Sequence, residues 1–475
     1  MKVCVLQPDY STTSVDYQYY DPPRNLSPLL PGAQVDHVSL NKLTTYKQLK
    51  ALQHAGYDVF VNLCEGYLEW EVPSIDVIYT LELLGMPFTG PTTLLYDPPK
   101  ELMKYVAYCE GVATPAYVLV ESEAECAAAC EQLQFPLFIK PAKAGDSLGI
   151  DNHSLVYNRD QLLKKISALL QEYPQLLVEE YIAGREFTVL IAADADGKTA
   201  TTFKPVEFIF PEGFAFKTYA LKTSELHPEA NIPCADPRIE QQLRESAERI
   251  FKGFNGQGYA RLDFRLDEKG NLYFLEINFT CSVFYQDGYE GSADYILKYD
   301  GIGQAGFLRH IIAEGIARHQ RIQKKYIIKG NAISGYGIYA TREILAGESI
   351  FLGEERSQRL VTRRYVENNW SVNEKEIFRR YAYPVSNEVF LLWDNDPSAW
   401  APQNHSCEPN TAYDGLNVIA TKTIAAGQEL TLNYASFLDD RMEPFECRCG
   451  APGCQGLITG KPGNSITARE NKAQP

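Results

Sequence analysis

The sequence has no apolar run approaching the roughly 18 residues that a membrane-spanning helix needs, so no membrane partner is expected. Its first residues, Met1-Lys2-Val3-Cys4-Val5-Leu6-Gln7-Pro8, read as a short strand without the apolar core and small-residue cleavage site of a secretory signal, and secretion is not expected. Disulfide-scaffold spacing is missing as well: the 11 cysteines are an odd number, and Cys4, Cys64, Cys109, Cys126, Cys130, Cys234 and Cys281 are scattered. A reducing cytoplasmic setting fits that usage. An excess of positive charge is also absent. The net charge of −16 opposes the basic surface that phosphodiester backbones demand, which argues against nucleic acid and for neutral or cationic partners. No internal repeat is visible. With 45% apolar and 22% charged residues the chain has the balance of an ordinary globular protein, and 475 residues allow two to four structural units at about 100 to 200 residues each.

Over the first three hundred or so residues, short apolar runs alternate with helical periodicities, which predicts α/β units. Tyr57–Leu63, Pro136–Lys140, Leu176–Glu180 and Glu186–Ile191 read as strands, and Lys100 leads a helix. Asp236 as N-cap and Pro237 at the first helical position predict a helix to Phe254. Gly258–Phe264 and Leu272–Ile277 read as paired strands joined by the turn Asp267–Asn271. An amphipathic helix follows over about Ile302–Gln323, and the basic segment Arg318–Lys325 marks a domain boundary before a region of short strands with glycine turns. Beyond Thr459 the tail is polar and expected to be flexible. Gly301–Gly306 has the spacing G-x-G-x-x-G, but no strand precedes it, so it reads as a helix entry. Cys126 and Cys130, four apart in an Ala-rich helical pattern, read as small apolar residues on a buried face.

Phosphate transfer needs cations around the phosphates, a flexible backbone cradle and carboxylates to hold magnesium. The first half supplies all three. Lys140 ends an apolar strand and is followed by the Gly/Ser loop Pro141–Gly149, which includes Ser147. Asp263 and Glu276 lie on the paired strands, and Asn278, two residues beyond Glu276, shares its face, giving a cage for one or two Mg2+ ions. In the second half Cys407 stands in the run Asn404–Asn410, and Cys447, Cys449 and Cys454 follow on short glycine-containing spacers. Four thiolates so tied suit a tetrahedral Zn2+ better than four ordinary buried cysteines. Tyr336, Trp393, Trp400 and Tyr413 could line an aromatic channel for an amine or simply pack a core.

Residues 1–320 resemble the ATP-grasp ligases, most closely the D-alanine–D-alanine ligase group. The resemblance rests on Phe60–Gly66, the Lys100 helix ending at Gly111, the Lys140 loop, Glu179–Glu186, Lys222, Arg261-Leu262-Asp263 and Glu276-Ile277-Asn278. It implies that Lys100, Lys140, Ser147 and Lys222 meet the phosphates of ATP, that Glu179, Glu180, Tyr181 and Ile182 meet the adenine, and that Glu186 meets the ribose. By the same resemblance Asp263, Glu276 and Asn278 bind magnesium, and Arg261 stabilises an acyl phosphate and a tetrahedral intermediate. The chain departs from the family's pattern at the acceptor end. Asn278 is followed by Phe279-Thr280-Cys281-Ser282 in place of Ser/Thr-Pro-Gly, Asp146 stands where serine is frequent, and Thr223 follows Lys222 where tyrosine is common. The Tyr-rich stretch Asp9–Asn25 replaces the early substrate loop.

Residues 327–460 resemble SET-domain methyltransferases with a post-SET zinc site, through Gly335-Tyr336-Gly337, Asn404–Asn410 and Glu429–Tyr434. The likeness implies that Gly335, Tyr336, Gly337, Asn404, His405 and Tyr434 hold S-adenosylmethionine, that Tyr434 is the active-site tyrosine, and that Cys407, Cys447, Cys449 and Cys454 bind zinc. The usual Arg-Phe before the motif is absent, with Pro402-Gln403 in its place, and there is no Cys-rich pre-SET segment. The expected fold is an α/β ATP-grasp unit in three subdomains followed by a mostly-β SET domain. Its expected bounds are 1–97 and 98–323 for the ligase, 327–440 for the SET domain, 441–460 for the zinc segment and 461–475 for the tail. The expected activity joins ATP- and Mg-dependent carboxylate–amine ligation to methyl transfer onto a lysine or other amine. Its partners would be small-molecule or peptide carboxylates and amines, with a protein lysine and a homodimer as further candidates. The alternative expectation is a protein-lysine methyltransferase whose ATP-grasp half recognises a ligand or regulates.

Overall fold

The computed structural model describes every residue except 12, 14–20, 67–70, 144–147, 213–215, 217–229, 323, 332–333, 354–357, 394–402 and 465–475. The chain divides into two compact units, Met1–Ile322 and Gln323–Pro475. Ser147, Lys222, Asp146, Thr223, Trp400 and most of the C-terminal tail lie outside the described residues, as does the side chain of Trp393.

Among the described residues the first unit holds three sheets. Strands β1 (Lys2–Pro8), β2 (Gln34–Leu40) and β3 (Val59–Asn62) form a parallel sheet in the order β2-β1-β3. The apolar residues of β1 and β3 point alternately to two cores, Val3, Val5, Val59 and Val61 to one and Cys4, Leu6 and Phe60 to the other, as the two-residue strand period requires. Strands β4 (Tyr117–Val120), β5 (Leu137–Pro141), β6 (Leu155–Val156) and β7 (Leu176–Glu180) make an antiparallel sheet in the order β4-β7-β5-β6. Helix Arg159–Leu169 packs on it, opened by Asn158, whose side chain accepts the Gln161 amide at 3.0 Å.

The third sheet runs β11-β10-β8-β12-β13, built from β8 (Arg185–Ala193), β9 (Ala200–Thr202), β10 (Val206–Phe208), β11 (Asn231–Pro233), β12 (Tyr259–Leu266) and β13 (Leu272–Asn278), with β9 beside β8. All its pairings are antiparallel. Strand β8 is covered on both faces. Leu190 and Ala192 join the core shared with the helix Gly303–Ile322, while Phe187, Val189 and Ile191 join the core capped by the helix Pro237–Gly253. The Asp236 side chain caps that second helix by accepting the Arg238 amide, as its position in the sequence predicts. Gly301, at φ +88°, closes the helix Ser292–Asp300 immediately before the helix Gly303–Ile322, so the G-x-G-x-x-G spacing serves a helix–helix corner.

One polar junction holds the helix Lys100–Cys109 to the four-stranded sheet. Glu179, on β7 and 3% exposed, receives Lys104 from the helix at 2.7 Å and Lys140 from β5 at 2.6 Å. Burial raises the Glu179 carboxyl, but the two ammonium groups outweigh it and bring it down to about 2.

The second unit is mostly β. Tyr326–Asn331 pairs antiparallel with Gly335–Ala340, Asn417–Ala420 lies between Ser349–Phe351 and Thr411–Asp414, and Val389–Trp393 lies between Gln358–Thr362 and Tyr383–Pro384. The two-residue strands Asn404–His405 and Thr431–Leu432 run parallel. Ile338, Ile344, Val418, Leu430 and Leu432 form the centre of its core. Helix Val372–Tyr381 starts with a reciprocal Ser371/Glu374 capping box, in which the Ser371 amide donates to Glu374 at 2.8 Å.

The Glu179 junction has a pH signature. A carboxylate whose folded value lies below its unfolded value of 4.5 contributes stability that is whole above about pH 4.5 and is lost as the pH falls toward 2. Replacing Glu179 by Gln leaves two buried cations facing an amide, and should cost on the order of 3 kcal/mol at pH 7. Denaturant unfolding of parent and Glu179→Gln should converge between pH 4.5 and 2.5; a difference that stays constant across that window would refute the ion-pair account.

Candidate functional site

The antiparallel pairing of β12 and β13 sets Asp263 opposite Glu276 and Arg261 opposite Asn278. Residues directly opposite share a face and residues two apart on a strand share it too, so all four side chains leave the sheet on one side. On β8, Thr188 faces Asp263 and Glu186 faces Arg265, which extends the same surface. Arg261 Nε stands 3.5 Å from Asp263 Oδ1, and Lys100 Nζ stands 3.6 Å from Glu276 Oε2. The Asn278 oxygen is engaged locally, accepting the Thr280 amide at 2.9 Å.

A cavity lies between this face and the four-stranded sheet. From the latter come Phe138, Lys140, Glu179, Glu180, Tyr181 and Ile182, and from the former Glu186, Asp263, Arg265, Leu275 and Glu276, with Ile150 and Phe216 also lining it. Its apolar side chains suit a flat base and its charged ones suit phosphates with a divalent ion. Burial depresses the Lys100 ammonium despite Glu276 nearby, whereas Glu179 and Glu276 outweigh burial at Lys140 and raise it. Lys140 thus presents a secure positive charge to the cavity.

Of the residues expected to meet a nucleotide, Lys140, Glu179, Glu180, Tyr181, Ile182 and Glu186 line this cavity together with Asp263 and Glu276. Glu180 is partly engaged in its own sheet, where its carboxylate accepts the Gln134 amide at 2.8 Å. Lys104 and Arg265 were not singled out from the sequence. Lys104 follows Lys100 by four residues on one helix face, and Arg265 follows Asp263 by two on one strand face, so both periodicities carried a signal.

In the second unit Asn404, expected at the methyl donor, bonds to Glu429. Its Oε1 accepts from Asn404 Nδ2 at 2.7 Å and from Asn331 Nδ2 at 2.9 Å, and its carbonyl accepts from Asn410 at 2.8 Å. Asn404 Nδ2 also donates to the Tyr336 carbonyl at 2.9 Å. A Cβ at Gly337 would lie 2.2 Å from Glu429 Oε1 and 2.9 Å from Asn404 Nδ2, so a side chain there would displace both groups. The Tyr434 hydroxyl donates to the Gln403 carbonyl at 2.5 Å, and burial, reinforced by Tyr383, raises it well above its usual range, so it stays neutral. Tyr383, Tyr413 and Phe437 surround its ring, with centroid separations of 5.1 to 6.5 Å within the group. Tyr413 therefore belongs to the aromatic cluster at Tyr434, whereas the Tyr336 side chain is 57% exposed. Tyr383 and Phe437 were missed because no motif spacing distinguishes them from core residues, whereas Glu429 opens the motif Glu429–Tyr434 but was given no role of its own.

His405 connects the two parts of this unit's chemistry. Its Nδ1 accepts the Tyr434 amide at 3.0 Å, which in the neutral ring leaves the proton on Nε2, and Nε2 stands 3.4 Å from Cys407 Sγ. The thiols of Cys407, Cys447, Cys449 and Cys454 all lie within 4.8 Å of one another, with Cys407 and Cys447 at 3.8 Å. A tetrahedron of Zn–S bonds of about 2.3 Å has edges of roughly 3.8 Å, so the four sulfurs fit that ion. The Gln455 amide points at Cys407 Sγ at 3.4 Å, a contact that favours a thiolate.

Comparison with known proteins agrees with both halves. The family model described as D-ala D-ala ligase C-terminus matches residues 108–283, and the SET domain model matches 335–435. D-alanine–D-alanine ligase B of Pseudomonas syringae pv. tomato is 32% identical over 250 residues, 48% of this chain and 75% of that ligase. The D-alanine–D-alanine ligase of Pseudomonas entomophila is 31% identical over 201 residues, 42% of this chain and 60% of that one. The solved structure of the Bacillus anthracis D-alanine–D-alanine ligase complexed with ATP aligns over 68% of this chain and all of its own, at 18% identity and a TM-score of 0.48. Among the described residues no helix is long and apolar enough to cross a membrane. The chain belongs to the D-alanine–D-alanine ligase family and carries a SET domain behind its ligase unit.

Proposed function

We propose that this protein is a cytoplasmic bifunctional enzyme, an ATP- and magnesium-dependent carboxylate–amine ligase joined to an S-adenosylmethionine-dependent N-methyltransferase. The observation that carries the ligase half is the single face bearing Arg261, Asp263, Glu276 and Asn278, set across a cavity from Lys140. Lys100 and Lys140 balance phosphate charge, while Asp263, Glu276 and Asn278 would hold magnesium, which supplies further neutralisation of the phosphates when bound. Arg261 stands on the same face to receive the charge of the carboxylate being activated. ATP activates that carboxylate as an acyl phosphate, and an amine displaces phosphate to give the amide. The relatives named above are D-alanine–D-alanine ligases. Because Phe279–Ser282 and the stretch Asp9–Asn25 replace the family's acceptor loops, we assign this chain a different small-molecule or peptide carboxylate and amine.

For the second half, Gly335, Tyr336, Gly337, Asn404 and His405 would hold S-adenosylmethionine. The amine acceptor enters among Tyr383, Tyr413, Tyr434 and Phe437, whose faces favour an alkylammonium and exclude water. Tyr434 keeps lone pairs on its oxygen to orient the amine after donating its proton to Gln403. Zinc, held by the four cysteines, supplies the staple that fixes the segment 441–460 against the body of the SET domain.

An ATP-consumption screen over amino acids and short peptides, with mass analysis of products in the presence of S-adenosylmethionine, tests the whole reading. Absence of both nucleotide turnover and methyl incorporation across the screen would reject it.

Two perturbations should separate the halves. Lys140→Met and Glu276→Gln should each lower ATP turnover on the order of 100-fold or more while sparing methyl transfer to a supplied acceptor. Normal turnover in Glu276→Gln would misplace the metal site. Conversely, a strong zinc chelator should abolish methyl transfer and leave ATP turnover largely unchanged. Equal loss of both activities, or a zinc-free protein that methylates, would count against the zinc assignment.

A further inference from the structure

Arg265 is 3% exposed and opposes Glu186 across β8 and β12. One edge of its guanidinium meets the Glu186 carboxylate, with Nε and Nη2 donating to Oε2 at 3.1 and 2.9 Å. The other edge, through Nη1, donates to the Tyr181 hydroxyl at 3.0 Å and to the carbonyls of Ile182 at 3.3 Å and Gly184 at 3.5 Å. Its centre lies 5.2 Å from the ring centroids of both Tyr181 and Phe210. A single side chain therefore clamps residues 181–184, the connection from the four-stranded sheet to β8, onto the carboxylate in the cavity wall. The connection has no slack at its far end: Gly184 sits at φ +138°, and a Cβ there would come within 2.1 Å of the Leu266 carbonyl.

The cavity wall that this clamp holds combines the apolar side chains of Phe138, Ile150, Ile182 and Leu275 with the charged groups of Lys140, Asp263 and Glu276. On the nucleotide reading above, Glu186 faces the sugar. A buried carboxylate there rejects a sugar that lacks a hydroxyl partner, but only if the carboxylate cannot turn away. Two donors of one planar guanidinium converge on Oε2 and fix that oxygen more tightly than a single ammonium does.

We infer that Arg265 is a specificity-determining positioning residue of the nucleotide site: it holds Glu186 and the Tyr181–Ile182 edge as one rigid wall and so sets the preference for an intact ribose diol. This rests on the nucleotide reading above.

Calorimetric binding of ATP, 2′-deoxy-ATP and 3′-deoxy-ATP with magnesium to the full chain tests it. The parent should bind at least one deoxy analogue about tenfold or more weaker than ATP. In Arg265→Met the ratio should collapse to within about threefold, whereas a merely structural residue would weaken all three nucleotides alike and keep the ratio. Arg265→Lys keeps a cation without the fork and should also lose most of the ratio; it decides the matter if the Met variant does not fold. A parental ratio in a folded Arg265→Lys, or a parent that does not distinguish the three, overturns the inference. A parent that binds none of them overturns the nucleotide reading itself.

Discussion

The ligase unit depends first on a buried carboxylate with two cations. Glu179 draws Lys104 and Lys140 to one point, and those lysines come from a helix and from a neighbouring strand. Desolvating three charges is expensive, and an apolar trio of similar volume would often serve stability as well or better. What an apolar trio could not do is leave a lysine ammonium charged at the mouth of a cavity. Lys140 keeps its proton because Glu179 and Glu276 outweigh its burial. The position and charge state of Lys140 thus come from one arrangement, and the helix carrying Lys100 toward Glu276 is anchored by the same contact.

Register provides the second constraint. Arg261, Asp263, Glu276 and Asn278 act together only because β12 and β13 pair as they do; a slip of one residue in β13 would send Glu276 and Asn278 to the opposite face, into the core of Phe264, Phe274 and Ile277. That core resists the slip. The pairing shifts between Asp263 and Phe264, so that Glu276 stays opposite Asp263 while Phe274, rather than Leu275, stands opposite Phe264. Packing on one face and chemistry on the other are thereby enforced by the same hydrogen-bond ladder.

Much of this was legible in the sequence because it is periodic or capped locally. The Asp236 cap, the Asp267–Asn271 turn and the alternation through Glu276 and Asn278 all have one- to five-residue signatures, and each appears in the structure. Pairings across distance were not legible. Arg265 reaches Tyr181 and Glu186 over about eighty residues, and Glu429 gathers Asn331 and Asn404 over separations of 98 and 25. Nothing in the local composition around Tyr383 or Phe437 distinguishes a channel wall from a core ring, since the same apolar face serves either role. The familiar motifs were readable because their spacing carries the chemistry. Their supporting residues were not, because support is a property of the folded surface.

The SET unit shows how far such support extends. With Nδ1 taken by the Tyr434 amide, His405 has one tautomer available and turns its Nε2 proton toward Cys407. A donor beside a thiolate lowers the charge that the sulfur must share with a zinc ion and fixes the direction from which it binds. The same ring lies 5.5 Å from the Tyr434 ring and 5.6 Å from Phe445, which begins the strand leading into Cys447. The cysteine cluster and the placement of Tyr434 therefore share one imidazole. A residue read from its motif as part of a methyl-donor site thus also faces the four-cysteine cluster.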